Sequence, residues 1–176
     1  HFDAVVLAVH SDQALRLLDK PTAQEQRVLG AIKYQPNVAV LHTDASVMPK
    51  RKAAWAAWNY ERAPSASRES SRVCSHYWLN RLQPLPFAQP VVVSLNPARE
   101  IDTSKVLAKI DYAHPVFFFL AIRAQALIPS IQGHQRTWFC GAWTGYGFHE
   151  DGLKSGYAAA ESLLRAQLTV LERQAA

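Results

Sequence analysis

Residues 2–9 form a short, nearly unbroken apolar stretch with Val5, Val6 and Val9 at β-branched positions, the pattern of a strand covered on both faces, as in a parallel sheet. Ser11 then reads as the N-cap of a short helix carrying Ala14, Leu15, Leu17 and Leu18. After Pro21, Thr22 and Glu25 have the spacing of a capping box, with Val28, Leu29 and Ile32 as the buried stripe of a second helix. From about Asn37 the texture changes to short runs rich in Val, Trp and Tyr, bounded by Pro, Ser and Asn. Residues 38–42, 54–60, 72–79 and 91–95 are therefore expected as antiparallel strands.

Residues 62–71 hold no apolar side chain larger than Ala or Pro and predict a hairpin loop, and residues 82–90, with three prolines, a second connection. Phe117, Leu120, Ala121, Ala124, Leu127, Ile128 and Ile131 repeat at helical spacing, although Phe117–Phe119 suits a strand equally well. Residues 136–141 read as a strand, 143–148 as a loop. From Glu150 onward Leu153, Tyr157, Ala160, Leu164, Leu168 and Leu171 recur every three or four residues or a multiple of that interval, so a long helix is expected.

Composition narrows the class. Of 176 residues 49% are hydrophobic and 19% charged, enough to bury a core and too apolar for a disordered tail or coiled coil. No apolar run reaches the length of a membrane span, because the stretch around 116–128 is broken by Arg123 and Gln125. The net charge of +5 (19 Lys+Arg against 14 Asp+Glu) is scattered apart from Lys50-Arg51-Lys52, so no nucleic-acid groove is expected. That triplet reads as a solvated loop, with an approaching anionic ligand as the alternative. Cys74 and Cys140 fit neither a metal spacing nor a disulfide framework, which points to reduced thiols and a cytoplasmic location. His1 leads into the apolar run with no charged segment before it, so a signal peptide is not expected and the chain reads as beginning within a fold.

Six of the seven glycines, Gly133, Gly141, Gly145, Gly147, Gly152 and Gly156, fall within 24 residues. A strand, a glycine-rich loop and a helix N-terminus together offer unpaired amides to carbonyl oxygens or developing negative charge. The plainer reading is tight turns and close packing of helix on sheet, with something set closely against the face shared by Gly152 and Gly156.

Trp138-Phe139-Cys140-Gly141-Ala142, followed by residues 145–156 (GYGFHEDGLKSG), resembles the C-terminal flavin motif of the flavin-containing amine oxidase family. Residues 34–37 (YQPN), 41–44 (LHTD), 48–49 (MP), 58–60 (WNY) and 80–83 (NRLQ) are similar to the branch described as predicted NAD/FAD-binding oxidoreductases. The resemblance spans nearly the whole chain. It implies an α+β fold: a mainly antiparallel substrate-domain sheet with flanking helices, plus an incomplete part of a Rossmann-like FAD-binding layer. Residues 1–33 would be the re-entering strand and helices of the nucleotide-binding domain, 34–132 the substrate domain, and 133–176 the closing strand, loop and helix. No G-x-G-x-x-G turn is present, so the chain resembles the C-terminal part of such an enzyme.

The resemblance implies FAD as cofactor, with Gly141, Ala142, Trp143, Gly145, Tyr146, Gly147, Phe148, His149, Glu150, Asp151, Gly152 and Leu153 around it. Gly141 and Ala142 would lie along the ribityl chain, and the amides near Gly152 and Leu153 would face the pyrimidine edge of the ring. Ala142 departs from relatives that place an acid there for a ribityl hydroxyl. The implied activity of the parent protein is hydride transfer from a C–N or C–C bond to flavin; the alternative is a non-catalytic ligand-binding or protein-interaction domain on the same scaffold. The chain alone is expected to bind FAD weakly or not at all, without turnover, and to self-associate through apolar surface near residues 5–9 and 152–160.

No catalytic acid or base can be named, and no metal site is expected: His149, Glu150 and Asp151 are adjacent on a helix, about 100° apart, and cannot converge on one ion. Among Trp55, Trp58, Tyr60, Tyr77 and Trp78, core packing is expected, with Trp58 and Tyr60 sharing a face. Should some line a cavity instead, it would suit a small hydrophobic substrate. Asn59, Asn80 and Gln83 are polar groups near such surfaces that could orient a ligand, although Asn and Gln at strand ends more often satisfy backbone groups.

Overall fold

The computed structural model describes residues 2–61 and 74–175; the expected hairpin loop at 62–71 lies outside the described residues. The chain is mixed α/β and divides into two compact units, His1–Gln35 with Pro115–Ala176, and Pro36–His114. The second unit therefore ends before residues 115–132, which belong with the first.

In the first unit β1 (Val5–Leu7) pairs in parallel with β7 (Thr137–Phe139), Val6 opposite Trp138. Alternation sends the two sides of β7 to different cores. Phe139 joins Ala14 of α1 (Ser11–Leu17), Val28 and Leu29 of α2 (Ala23–Leu29), Ala121 of α4 (Phe119–Gln125), Ile128, Ile131 and Trp143. Trp138 and Cys140 pack on Ala159 and Leu163 of α5 (His149–Ala175). The Thr22–Glu25 capping box forms as expected: the Glu25 amide donates to Thr22 Oγ1 at 3.1 Å and the Thr22 amide to Glu25 Oε2 at 2.7 Å. The α1 cap falls one residue earlier than expected. His10 is the N-cap, its amide donating to Gln13 Oε1, while the Ser11 amide donates to Tyr34 Oη at 2.8 Å.

Several expectations change. The strand expected over 2–9 is three residues long and not covered on both faces: Val5 and Val6 are 42% and 45% exposed, because among the described residues its only sheet neighbour is β7. The helix expected over 117–131 stops at Gln125 and resumes as a single 3-10 turn at Ile128–Ile131, with Pro129 at its start. In α5 the apolar stripe Leu153, Tyr157, Leu164, Leu168 and Leu171 falls within about 60° of helix surface, and all five side chains are exposed. The buried side is the small-residue one around Ala159, and at the Gly152–Gly156 face the Ala142 backbone and methyl stand at ordinary packing distance from Gly152, while Gly156 is open. A Cβ built on Gly152 comes no nearer than 3.8 Å to another atom, and one on Gly156 meets nothing within 4 Å.

The second unit is a five-stranded antiparallel sheet in the order β3-β4-β5-β2-β6: β2 (Lys33–His42), β3 (Trp58–Glu61), β4 (Cys74–Trp78), β5 (Val92–Leu95) and β6 (Val106–Val116). The one-turn α3 (Leu79–Leu82) follows β4. Its core is Val40, Val47, Met48, Val92 and Ile101, with Trp55 and Trp78 packed at its margin edge-to-face at 5.3 Å. Trp58 and Tyr60 share a face, but not a core: both are 69% exposed, since β3 is an edge strand and that face carries no covering layer among the described residues. Asn80 satisfies the backbone of the 82–90 connection, donating to the Gln89 carbonyl and accepting from the Val91 amide. No described helix is long and apolar enough to cross a membrane.

Replacing Thr22 with Ala removes an N-cap and is expected to cost about 1 kcal/mol, whereas Leu29→Ala, at a fully buried position, is expected to cost about 2–5 kcal/mol. Denaturant unfolding of the two variants checks both the order and the size.

Candidate functional site

In the first unit the loop after β7 is set by three contacts. Gly141 adopts φ +147°, and a Cβ there would stand 2.6 Å from Trp143 Nε1, so only glycine lets the indole pass. That indole is buried and donates to the Val9 carbonyl at 2.8 Å, tying the loop to the end of β1. Ser155 Oγ, on the second turn of α5, accepts from the Gly141 amide at 2.9 Å and donates to the Gly152 carbonyl at 2.8 Å. Asp151 Oδ2 accepts from the amides of Tyr146 and Phe148, both at 3.0 Å, closing the loop onto the helix start.

This arrangement sorts the residues expected around a flavin. Trp143 belongs to the core, and Asp151 spends its carboxylate on the loop. Gly141, Ala142, Gly145 and Gly152 are half-buried; Tyr146, Gly147, Phe148, His149, Glu150 and Leu153 are exposed. Among the described residues no acceptor meets the amides of His149 and Glu150, the orphan donors at the start of a 27-residue helix. Strand end, glycine loop and helix start thus converge, with free amides at the helix start and open space at Gly156. A planar group with acceptor atoms fits that combination.

The second unit holds a chain of polar contacts that the sequence analysis did not assemble. His42, Ser94 and His76 lie on β2, β5 and β4, and all three are buried. The Asp44 amide donates to His42 Nδ1 at 3.1 Å. Burial pushes the His42 imidazole below its ordinary pKa, so it is neutral and its proton sits on Nε2, 2.7 Å from Ser94 Oγ. The Ser94 hydroxyl then donates to His76 Nδ1 at 2.6 Å, and His76 Nε2–H to Glu61 Oε2 at 3.0 Å. Arg99 Nε holds the other carboxylate oxygen at 3.0 Å. Burial raises the Glu61 pKa, but the His76 hydrogen bond and the Arg99 guanidinium outweigh it and hold the carboxyl below its usual value. Cys74 Sγ lies 3.6 Å from His76 Nε2, and burial pushes its thiol pKa up.

Glu61, His76 and Arg99 line an open cavity of about 410 Å³ together with Lys50, Asn59 and Tyr60. Of the basic triplet, Lys50 reaches this cavity and Lys52 lies over the Trp55 ring at 5.9 Å. Cys74 and Cys140 are both buried and free. His42 stood in a motif quoted for its resemblance, but Glu61, His76 and Ser94 carry no spacing signal, since three strands must pair before they meet. No family model matches the chain, and no curated protein matches it.

Gly141→Ala is expected to destabilise the first unit by about 1–3 kcal/mol through backbone strain and the clash with Trp143. Gly156→Ala, in open space within a helix, should stabilise it by about 0.5–1 kcal/mol. Thermal melts of the pair test the opposite signs.

Asp44 gives a pH dependence. Burial opposes its ionisation, but the Ser46 and Asp102 amides, the Ser46 side chain and Lys105, whose Nζ stands 3.6 Å away, outweigh that and hold its pKa at about 2. A carboxyl with a folded pKa below its unfolded one stabilises the fold above the unfolded value and ceases to as pH falls through the folded value. About 2 kcal/mol should therefore be lost between pH 4 and pH 2. Asp44→Asn should flatten that segment of a stability-versus-pH profile.

Proposed function

We propose that the first unit is the flavin-ring end of a FAD-dependent oxidoreductase of the amine oxidase type, acting on a small hydrophobic substrate. The observation that carries this reading is the convergence, at the carboxyl ends of two parallel strands, of Gly141, the loop after it and the free amides that open α5. In open α/β sheets that edge is where nucleotide-type ligands sit. On this reading β1 and β7 belong to a Rossmann-like FAD-binding layer, and the second unit supplies the substrate-side sheet.

Bound flavin would supply the redox chemistry, accepting a hydride from a C–N or C–C bond. The chain's own part is positioning and electrostatics. The amides near Gly152 and Leu153 are expected at the pyrimidine edge, but the Gly152 amide donates to the Phe148 carbonyl at 3.2 Å; on this reading the His149 and Glu150 amides would meet the electron-rich ring edge instead, and the positive end of the α5 dipole would favour negative charge there. Gly156, with open space where a side chain would stand, would let a flat group approach the backbone there, whereas Ala142 already packs at Gly152. Ala142 offers no hydrogen bond to a ribityl hydroxyl. The Gly141 amide and carbonyl and the Ala142 carbonyl are already engaged by Ser155 and by the loop itself, so of these two residues the Ala142 amide is the backbone group that would meet a ligand.

The reading requires the adenosine half of FAD to be held by a G-x-G-x-x-G turn outside these 176 residues. The exposed apolar surface at Val5, Val6, Leu153 and Tyr157 suits coverage by such a segment, and equally the alternative of a non-catalytic interaction domain. Titrating the chain with FAD and following flavin fluorescence should give weak binding or none, with self-association in sedimentation. The parent protein should carry a flavin absorbance band. Submicromolar FAD binding by the chain alone would overturn the division of the cofactor's contacts, and a colourless parent protein with no affinity for FAD would favour the interaction-domain reading.

A further inference from the structure

We propose that Glu61, Cys74 and His76 form a binding site for one zinc-class divalent cation, with its fourth coordination position opening to the cavity beside Lys50 and Arg99. The proposal rests on the second unit alone and stands whether or not the first unit binds flavin.

The three donors come from paired strands. Glu61 on β3 lies directly opposite Cys74 on β4, and Cys74 and His76, two apart on β4, share the same side of the sheet. One donor atom from each lies within 4.8 Å of the other two. A tetrahedral zinc ion, with bonds of about 2.3 Å to sulfur and about 2.0–2.1 Å to nitrogen and oxygen, holds S and N about 3.6 Å apart and N and O about 3.3 Å apart. Here Cys74 Sγ is 3.6 Å from His76 Nε2, and His76 Nε2 is 3.0 Å from Glu61 Oε2. Withdrawal of the carboxylate by about 0.3 Å would bring nitrogen and oxygen to that separation, and the Cys74 Sγ–Glu61 oxygen pair, which such an ion holds about 3.6 Å apart, lies within 4.8 Å here.

The surroundings suit a metal as well. Metal-ligating histidines hold their second ring nitrogen in a hydrogen bond that fixes the ring, and Ser94 Oγ sits 2.6 Å from His76 Nδ1. Arg99 grips Oε1 of Glu61 and leaves Oε2 for the ion. Thiolate and imidazole select a borderline or soft cation over magnesium or calcium. Cys74 is buried behind the centre while Glu61 and His76 line the cavity, so an ion among them has three protein ligands and one accessible position. With two cationic side chains at that mouth, the exchangeable ligand would be water or a small anion.

The proton balance is simple. Cys74 releases its thiol proton on binding. The His76 proton moves from Nε2, which becomes the ligand, to Nδ1. Ser94, which donates to Nδ1 in the metal-free chain, then accepts from both imidazoles with its two lone pairs.

Cobalt(II) is the probe, added to the metal-free chain under reducing conditions. The expected result is one equivalent bound, with an intense four-coordinate visible spectrum and a near-ultraviolet thiolate-to-cobalt charge-transfer band, both abolished by one equivalent of zinc. Ser94→Ala, which removes the support behind His76, should weaken zinc binding about 10–100-fold. Cys74→Ser should lose the charge-transfer band while its far-ultraviolet circular dichroism is retained. Because buried variants can misfold, the wild-type spectrum decides by itself: only weak, six-coordinate absorption, or no charge-transfer band at saturating cobalt, overturns the proposal, as does a folded Cys74→Ser variant with unchanged zinc affinity.

Discussion

The hydroxyl of Ser94 is the point on which the second unit turns. It is buried between two buried imidazoles, and each of the three groups would cost about 1–3 kcal/mol if left without a partner. Ser94 stands directly opposite His76 on one neighbouring strand and Val40 on the other, with His42 two residues along. Sliding any of the three strands by a single residue would turn its member of the chain to the opposite face. The polar contacts therefore specify register. A slip would also turn Val92 out of its core, so apolar and polar contacts specify the same register. Once the register is set, Glu61 and Cys74 are fixed opposite each other on β3 and β4.

The first unit is constrained by backbone instead. The Trp143 indole reaching the Val9 carbonyl past Gly141 joins the end of one parallel strand to the loop after the other. Asp151 and Ser155 then fasten that loop to α5 from two sides. The outcome is a helix start held at the carboxyl edge of the strands with its first amides free. This geometry comes from sterics at one glycine and four hydrogen bonds. The acid at 151, which looks from sequence like a ligand-facing group at a dipole, is consumed in shaping the loop.

What could be read from the sequence divides along the range of the forces involved. Thr22–Glu25, the antiparallel runs after Asn37 and the strand, loop and helix around Gly141 are local patterns, and each forms close to its expected place. Periodicity misled where an apolar stripe was not the contact face, as in α5, whose Leu153–Leu171 stripe is exposed while Ala159 and Leu163 do the packing. It misled at Trp58 and Tyr60 for a related reason: alternation tells which residues share a face, and an edge strand need not have that face covered. The His42–Ser94–His76–Glu61 chain was illegible because its members are 15 to 52 positions apart in sequence. Only the strand order, which no composition or spacing states, brings them together.

The two units also differ in what they leave over. The second closes a polar network on itself and exposes aromatic side chains on one face of its sheet. In the first, α5 is apolar on the side facing solvent and small on the side facing the sheet, so its larger hydrophobic area does not contribute to the core that holds it. A helix apolar on both sides is ordinarily an interior helix. α5 also carries a charged flank, with the exposed pairs Glu150–Lys154 and Glu161–Arg165, and it meets the two short strands through a narrow seam, Ala159 and Leu163 on Trp138 and Cys140. The seam explains why the small residues of α5 are where they are: at Ala159 and Ser155 a larger side chain would lift the helix off β7 and pull its first turn away from Gly141. The positions that look least informative in the sequence thus set where the free amides stand.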